Sequence, residues 1–256
     1  MSKETLIIIT TVVAFLFPIC LAIFWKTKTN CYWLAFATGA LCFMIFAYVL
    51  EGLVNVYLIN VNETTSYFLM SNPLAYGVFG ALMAGLFEET GRLFGFKILL
   101  KNHKEKNVSV GYGIGHGGIE CVLVLGVNYL LYAFIIFGGS LGDPTSDATV
   151  LQMINSIQTS IIPVALLERI ISIILHISLS ILVYKAANKT KSFYLYPLAI
   201  LLHMISDIPA GLYQAGLITN VMLVELLIAI ITIVIFIFAI KMYKNMKDEV
   251  EQWEKI

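Results

Sequence analysis

The stretch Leu74–Leu100, LAYGVFGALMAGLFEETGRLFGFKILL, places charged residues inside an otherwise apolar run. The run exceeds the about 20 apolar residues that cross the hydrocarbon core of a bilayer. Its middle holds Glu88, Glu89 and Arg92, and ionisable side chains at membrane depth are costly unless they face a protein interior or a wet cavity. The stretch therefore predicts a transmembrane helix that directs a polar face toward other helices.

The composition of the whole chain agrees with a membrane protein. Hydrophobic residues make up 59% of the 256 residues and charged residues 12%, whereas an ordinary soluble domain is about 25% charged. The apolar runs are continuous rather than alternating, which favours helices over a barrel. We expect an all-α, polytopic transmembrane bundle of about seven helices that forms one membrane-embedded domain over residues 1–256. The predicted spans are Leu6–Trp25, Tyr32–Leu58, Leu74–Leu100, Val110–Phe137, Ile161–Tyr184, Phe193–Tyr213 and Leu217–Met242.

The distribution of lysines predicts the orientation of the bundle. Connections 59–72, 138–160 and 214–220 contain no Lys or Arg, and lysines occupy the alternate connections and the C-terminal segment. The lysines of those segments are Lys26, Lys28, Lys97, Lys101, Lys104, Lys106, Lys185, Lys189, Lys191, Lys241, Lys244, Lys247 and Lys255. Because positive charge accumulates in cytoplasmic loops, we expect the N-terminus outside, the C-terminus in the cytoplasm, and a multi-pass protein of the cell membrane. Abundant Ile, Lys and Asn indicate a bacterial origin, and residues 142–160 are expected to form a short interfacial helix outside.

Four predicted helices carry ionisable residues at a common depth. Counted from the cytoplasmic ends at about 1.5 Å per residue, these residues lie roughly 9–21 Å into the membrane. They are Glu88, Glu89, Arg92, His116, Glu120, His176, His203 and Asp207. Spacings of three or four residues put the members from each helix on one face, so we expect one buried polar cluster toward the cytoplasmic half. Glycines in Gly111–Gly118 and at Gly91 allow either close helix approach or local unwinding around a ligand.

A second group of charges lies nearer the predicted outer surface. This group contains Glu51, Glu168, Arg169 and Glu225. Glu168 and Arg169 are adjacent and could pair with residues of other helices, and Glu51 and Glu225 lie close enough to the outer interface to be wetted. We therefore interpret the group as structural.

The deeper layer suits hydrolysis by either of two chemistries. A carboxylate in apolar surroundings can take a proton from water, and an imidazole or guanidinium can stabilise the oxyanion that develops. Alternatively, the imidazoles and carboxylates could bind zinc or another divalent metal. The candidate metal ligands are His116, Glu120, His176, His203 and Asp207. The sequence contains neither an HExxH nor a Gly-x-Ser-x-Gly motif, which disfavours a zincin helix or a serine nucleophile.

Three short motifs carry a resemblance to a known family. Glu88-Glu89-x-x-Arg92, His116-x-x-x-Glu120 and His203-x-x-x-Asp207 follow one another on successive helices. This order resembles the glutamic-type intramembrane peptidases, which include the CAAX and CPBP proteases and PrsW, and the pattern is most similar to the YhfC family. The arginine stands one residue earlier than in the CAAX type and replaces the lysine of PrsW. His176 is additional to the three motifs and favours a metal site.

The resemblance implies a role for each motif residue. Glu88 or Glu89 would activate water, and His116 and His203 would bind it or stabilise the oxyanion. Arg92 would orient the glutamates. Glu120 and Asp207 would hold the imidazoles or complete a metal shell.

The sequence therefore predicts an intramembrane protease, of the glutamic or the metal-dependent type. Its substrate would be a membrane-associated or lipidated peptide within the lipid bilayer, and no nucleic-acid partner is expected. Two alternatives stay open, namely a proton-coupled transporter or channel, and a non-catalytic, peptidase-like immunity or binding protein.

Overall fold

The computed structural model describes residues 1–246, which form helices and contain no β-strand. Lys247 and Lys255, which contributed to the predicted orientation, lie outside the described residues. We number the helices in chain order. They are α1 (Lys3–Thr29), α2 (Trp33–Val61), α3 (Glu63–Ser71), α4 (Pro73–Leu99), α5 (Asn107–Ile136), α6 (Pro144–Ser156), α7 (Ile162–Asn188), α8 (Leu195–Gln214) and α9 (Val221–Asn245).

The helices agree with the predicted transmembrane bundle. Within residues 1–246, six helices are long and apolar enough to cross a membrane, and the count reaches seven if α3 and α4 together form one bent span. Those six are α1, α2, α5, α7, α8 and α9. Helix α4 does not count among the six by itself, because it carries the charged residues Glu88, Glu89 and Arg92 where a membrane-spanning helix usually has apolar ones. The predicted outer helix is also present, as α6.

Helix α3 was not predicted, because the sequence analysis placed its residues in a connection. Asn62 begins α3 with a side-chain oxygen that accepts a hydrogen bond from the Thr65 backbone N–H (3.0 Å). Asn72 caps α4 in the same way, and Pro73 occupies the first turn of that helix. The Asn62 cap separates α3 from α2, and the Asn72 cap with Pro73 explains why the chain turns through 115° between α3 and α4 instead of continuing as one helix.

The ends of the helices that bear the lysines come together in space. The Trp25 indole N–H donates to the Asn107 carbonyl (3.1 Å), and the Tyr184 hydroxyl donates to the Lys104 carbonyl (2.6 Å). We call this the inner side, and the opposite side, which carries α6, the outer side. Lys3 is the exception at the outer side, where its ammonium donates to the carbonyls of Ile154 (2.9 Å) and Asn155 (3.2 Å) near the end of α6.

Close contacts at glycines fix the positions of the helices around the polar layer. A Cβ atom added to Gly115 of α5 would lie 2.0 Å from the Phe36 carbonyl oxygen of α2, and one added to Gly113 would lie 2.5 Å from the Ile177 Cα of α7. Helix α5 stays helical through this segment. The glycines therefore serve close helix approach, not local unwinding, and they bring α5 against both neighbours.

Candidate active site

The carboxylate of Glu88 lies at the centre of three histidines. The His116 Nε2–H donates to Glu88 Oε2 (2.8 Å), and His176 Nδ1 and His203 Nε2 each lie 3.8 Å from the same oxygen. The four side chains come from α4, α5, α7 and α8, and all of them are buried. The predicted polar layer thus converges on one carboxylate.

Glu89 has different partners from its neighbour Glu88. It forms an ion pair with Arg92, and both side chains are fully buried. Glu89 Oε1 also accepts a hydrogen bond from His203 Nδ1–H (2.8 Å). With Nδ1 donating, a neutral His203 ring carries its lone pair on Nε2, which lies 3.8 Å from Glu88. Glu89 therefore orients His203, and Arg92 balances its charge.

Glu120 orients His176 in the same way as Glu89 orients His203. Glu120 Oε2 lies 2.5 Å from His176 Nε2 and also accepts from the Ser172 hydroxyl (3.1 Å). Its other oxygen accepts from the Arg169 guanidinium (2.6 Å), which also pairs with Glu168. Arg169 therefore pairs with a residue of another helix, as the sequence allowed, and joins Glu168 to the hydrogen-bonded network of the deeper layer. The spacing of Arg169, Ser172 and His176 along one face of α7 was the signal that could have shown this.

A cavity of about 370 Å³ adjoins this network. Its wall includes Glu88, His176 and His203 together with Glu51 of α2 and Asp207 of α8. Asp207 Oδ2 lies 3.4 Å from His203 Nε2, and 34% of the Asp207 side chain is exposed. Glu51, interpreted from the sequence as structural, accepts from the Asn55 amide (3.2 Å) and faces the same cavity. The volume lies within the roughly 300–1,000 Å³ of ligand pockets.

Comparison with known proteins identifies the family. A family model described as "YhfC intramembrane metalloprotease" matches residues 13–228. The uncharacterized membrane protein YhfC of Bacillus subtilis (strain 168) is 38% identical over 230 residues, which cover 86% of this chain and 88% of that protein. This chain belongs to the YhfC family. Membership confirms the resemblance to YhfC, whereas the relation to PrsW and to the CAAX-type peptidases stays a prediction. No solved structure matches the chain.

The donor chemistry of the site fits the metal that the YhfC family description implies. One donor atom from each of Glu88, His176 and His203 lies within 4.8 Å of the others, and all three residues are buried. Two histidines and one glutamate form a ligand set that occurs in zinc peptidases. A carboxylate stands behind each histidine, Glu120 behind His176 and Glu89 behind His203, as is usual for metal-binding imidazoles.

The charges of the network also suit a divalent cation. Two guanidiniums face four carboxylates, so these six groups carry an excess of two negative charges when all four carboxylates are ionised and the histidines are neutral. The groups are Arg92 and Arg169 against Glu88, Glu89, Glu120 and Glu168. Buried charge without compensation is unfavourable, and a divalent metal would balance it. Arg92 also donates to His176 Nδ1 (3.0 Å), so this guanidinium and a metal would compete for the same lone pair.

The remaining predicted metal ligands lie beside this group of three. His116 contacts Glu88 through Nε2, and its Nδ1 is buried with no hydrogen-bond partner among residues 1–246. Glu120 contacts His176, and Asp207 lies at the cavity next to His203. Glu88, predicted together with Glu89 as a candidate for activating water, belongs to the group that could hold the metal. His103 packs against the Tyr32 ring (4.5 Å between centroids), away from the site.

Proposed function

We propose that this protein is an intramembrane metalloprotease that hydrolyses a peptide bond of a membrane-associated substrate at the Glu88 cluster. The observation that supports this proposal most strongly is the convergence of Glu88, His176 and His203 from three helices, with a carboxylate behind each histidine. A purely structural ion pair needs neither the second carboxylate behind each ring nor a cavity beside it.

Glu88, His176 and His203 would hold the metal. A divalent ion such as zinc supplies Lewis-acid polarisation of water and of the scissile carbonyl. Glu120 and Glu89 accept the N–H of His176 and His203 and so fix the ring nitrogens that face Glu88.

Hydrolysis adds the water oxygen to the carbonyl carbon, breaks the C–N bond and returns one proton to the leaving amine. The group that moves this proton must reach the cavity. Glu89 does not fit the role, because it is fully buried and is held by Arg92 and His203. Asp207 fits better, since it borders the cavity beside His203 and its side chain is partly exposed. We assign the proton transfer to Asp207 and a positioning role to His116, which donates to Glu88.

The metal content of the purified protein in detergent tests this proposal. We expect about one divalent metal ion per chain, as one group of three protein ligands implies. Glu88→Gln and His203→Ala should lose it, and His103→Ala, a change in a histidine outside the site, should retain it. Absence of stoichiometric metal from the wild type, or its retention in both site variants, would contradict a metalloprotease. Asp207→Asn should keep the metal and abolish cleavage of a membrane-tethered peptide.

A further inference from the structure

The cavity beside the active site extends in one direction only. On α4 its wall runs from Tyr76 to Glu88, on α7 from Glu168 to His176, and on α8 from His203 to Gln214. Helices α4 and α7 run inward, whereas α8 runs outward. In all three helices, therefore, the lining residues lie between the polar layer and the outer end. No lining residue among those described lies on the inner side of the layer.

The inner side of the layer is closed by packed apolar side chains. Tyr112 of α5, Leu179 of α7 and Leu195 of α8 are fully buried. Tyr112 and Leu179 lie between the polar layer and the inner ends of their helices, and Leu195 forms the inner end of α8. They belong to a buried core that also contains Phe96 and Leu100, which follow Arg92 toward the inner end of α4. A peptide approaching from the cytoplasm would have to displace this core.

The outer half of α2 forms a wall of the cavity. Glu51, Asn55 and Ile59 line it at intervals of four residues, so one face of this half-helix faces the cavity. No residue of segments 52–56 and 57–61 is buried. The wall is thus one helix thick, with the cavity on one face and the exposed surface of the bundle on the other.

We propose that the substrate reaches the Glu88 cluster from the outer side, through the cavity between α2, α4 and α8. The substrate class is then a peptide segment that lies at, or descends from, the extracytoplasmic surface of the membrane. A segment presented only at the cytoplasmic surface is excluded. The identification of the bound peptide as a substrate rests on the proposed function. The direction of access follows from the cavity and from the packed inner side.

Accessibility of introduced cysteines to a charged, membrane-impermeant thiosulfonate reagent tests the direction of access. The background is the full chain with the exposed Cys20 replaced by Ser, because Cys31, Cys42 and Cys121 are buried. Ala210→Cys places a thiol in the cavity wall. Ala199→Cys is the matched control on the same helix, at a fully buried position on the inner side of His203. Exposed positions in α6 and before α8, Ala148→Cys and Thr190→Cys, report which membrane face the reagent can reach.

We expect the Ala210→Cys thiol to be labelled whenever the Ala148→Cys thiol is labelled, and to be protected when only Thr190→Cys is accessible. The Ala199→Cys thiol should be protected from both faces. The proposal would be overturned if the Ala210→Cys thiol were labelled when only Thr190→Cys is accessible. It would also be overturned if the Ala210→Cys thiol were labelled from neither face. Labelling of Ala199→Cys together with Thr190→Cys would overturn it as well. If Ala199→Cys does not fold, Ser180→Cys, also fully buried and one turn inward of His176, replaces it.

This assay needs neither metal nor hydrolysis. Adding Glu88→Gln to the Ala210→Cys chain should leave the labelling pattern unchanged, even though this change removes a proposed metal ligand. A protein without metal that keeps the outer labelling would contradict the proposed function and leave the direction of access intact. A metal-containing protein in which the Ala210→Cys thiol is labelled from the inner face would support the proposed function and contradict the direction of access.

Discussion

The adjacent carboxylates Glu88 and Glu89 have opposite surroundings, although they are neighbours in sequence. Glu89 is the counter-charge of the fully buried Arg92. Glu88 contacts histidines and lines the cavity, and it is not a partner in the Glu89–Arg92 ion pair. The two residues should therefore respond differently to the same substitution.

Glu89→Gln should destabilise the fold, because it leaves Arg92 buried without a full counter-charge. Removal of one partner from a buried pair costs about 3–5 kcal/mol. Glu88→Gln preserves the Glu89–Arg92 pair and should cost much less. Thermal unfolding of both variants in the same detergent measures the difference, and equal losses of stability would show that Glu89 does not act as the counter-charge.

Glu120→Gln should weaken metal binding while leaving every proposed ligand in place. Its carboxylate holds His176, and loss of such a supporting group typically lowers metal affinity by about 10–100-fold. Glu168→Gln is the matched control, because Glu168 pairs with Arg169 and forms no hydrogen bond or ion pair with a histidine among residues 1–246. Competition with a chelating dye measures both affinities. A larger effect at Glu168 than at Glu120 would argue against a supporting role for Glu120.

The members of the site were predictable from depth along each helix, but their arrangement was not. Counting 1.5 Å per residue brought Glu88, His116, His176 and His203 to one layer, and the structure places them in contact. The central position of Glu88 depends on how four helices are rotated about their axes. That rotation is set by interhelical packing, which depth counting does not describe, and for the same reason Glu120 was not predicted as the partner of Arg169.

At the scale of the helices, the glycines of α5 determine whether His116 can reach Glu88. Gly115 packs against the Phe36 carbonyl of α2, where an added Cβ would lie 2.0 Å away. Because the obstacle is backbone, it cannot move aside as a side-chain end can. The position of α5, and with it that of His116, therefore depends on this contact.

Gly115→Ala should destabilise the bundle by about 1–3 kcal/mol, the usual range for overpacking. Gly52→Ala in α2 is the matched control, since no atom of the described residues beyond the local helix backbone lies within 4 Å of an added Cβ there. That control should be neutral or slightly stabilising, because alanine is favoured over glycine in helices by about 1 kcal/mol. Thermal unfolding of the two variants distinguishes these outcomes, and a Gly115→Ala protein as stable as the control would mean that the helices can separate without cost.

The long helices could be predicted from apolar runs in the sequence, whereas the positions at which the chain breaks between helices are set by local capping residues. The run Leu74–Leu100 predicted α4 within one residue of its observed bounds, Pro73–Leu99. Helix α3 was missed because its apolar content is low, and its start depends on local hydrogen bonds at Asn62. Hydropathy detects long segments that cross lipid and does not detect a short capped helix beside them.

At the scale of the whole molecule, the polar layer is open toward one side and packed toward the other. The alternative of a proton pathway requires polar residues that continue to both faces. The inner side of the layer instead contains the buried apolar core around Tyr112, Leu179 and Leu195. This asymmetry favours a cavity that receives a substrate over a path that crosses the membrane.

Metal binding should also stabilise the molecule as a whole, because the proposed ligands Glu88, His176 and His203 lie on three different helices. A ligand that binds only the folded state adds about 2.7 kcal/mol at a free concentration 100 times its Kd. Chelation should therefore lower the midpoint of thermal unfolding, and zinc should restore it in the wild type but not in His203→Ala. His103→Ala should behave like the wild type. Equal effects of zinc on His203→Ala and on the wild type would contradict this prediction. A metal that joins α4, α7 and α8 at this cluster needs His203 as a ligand, so stabilisation that does not depend on His203 would place the metal elsewhere.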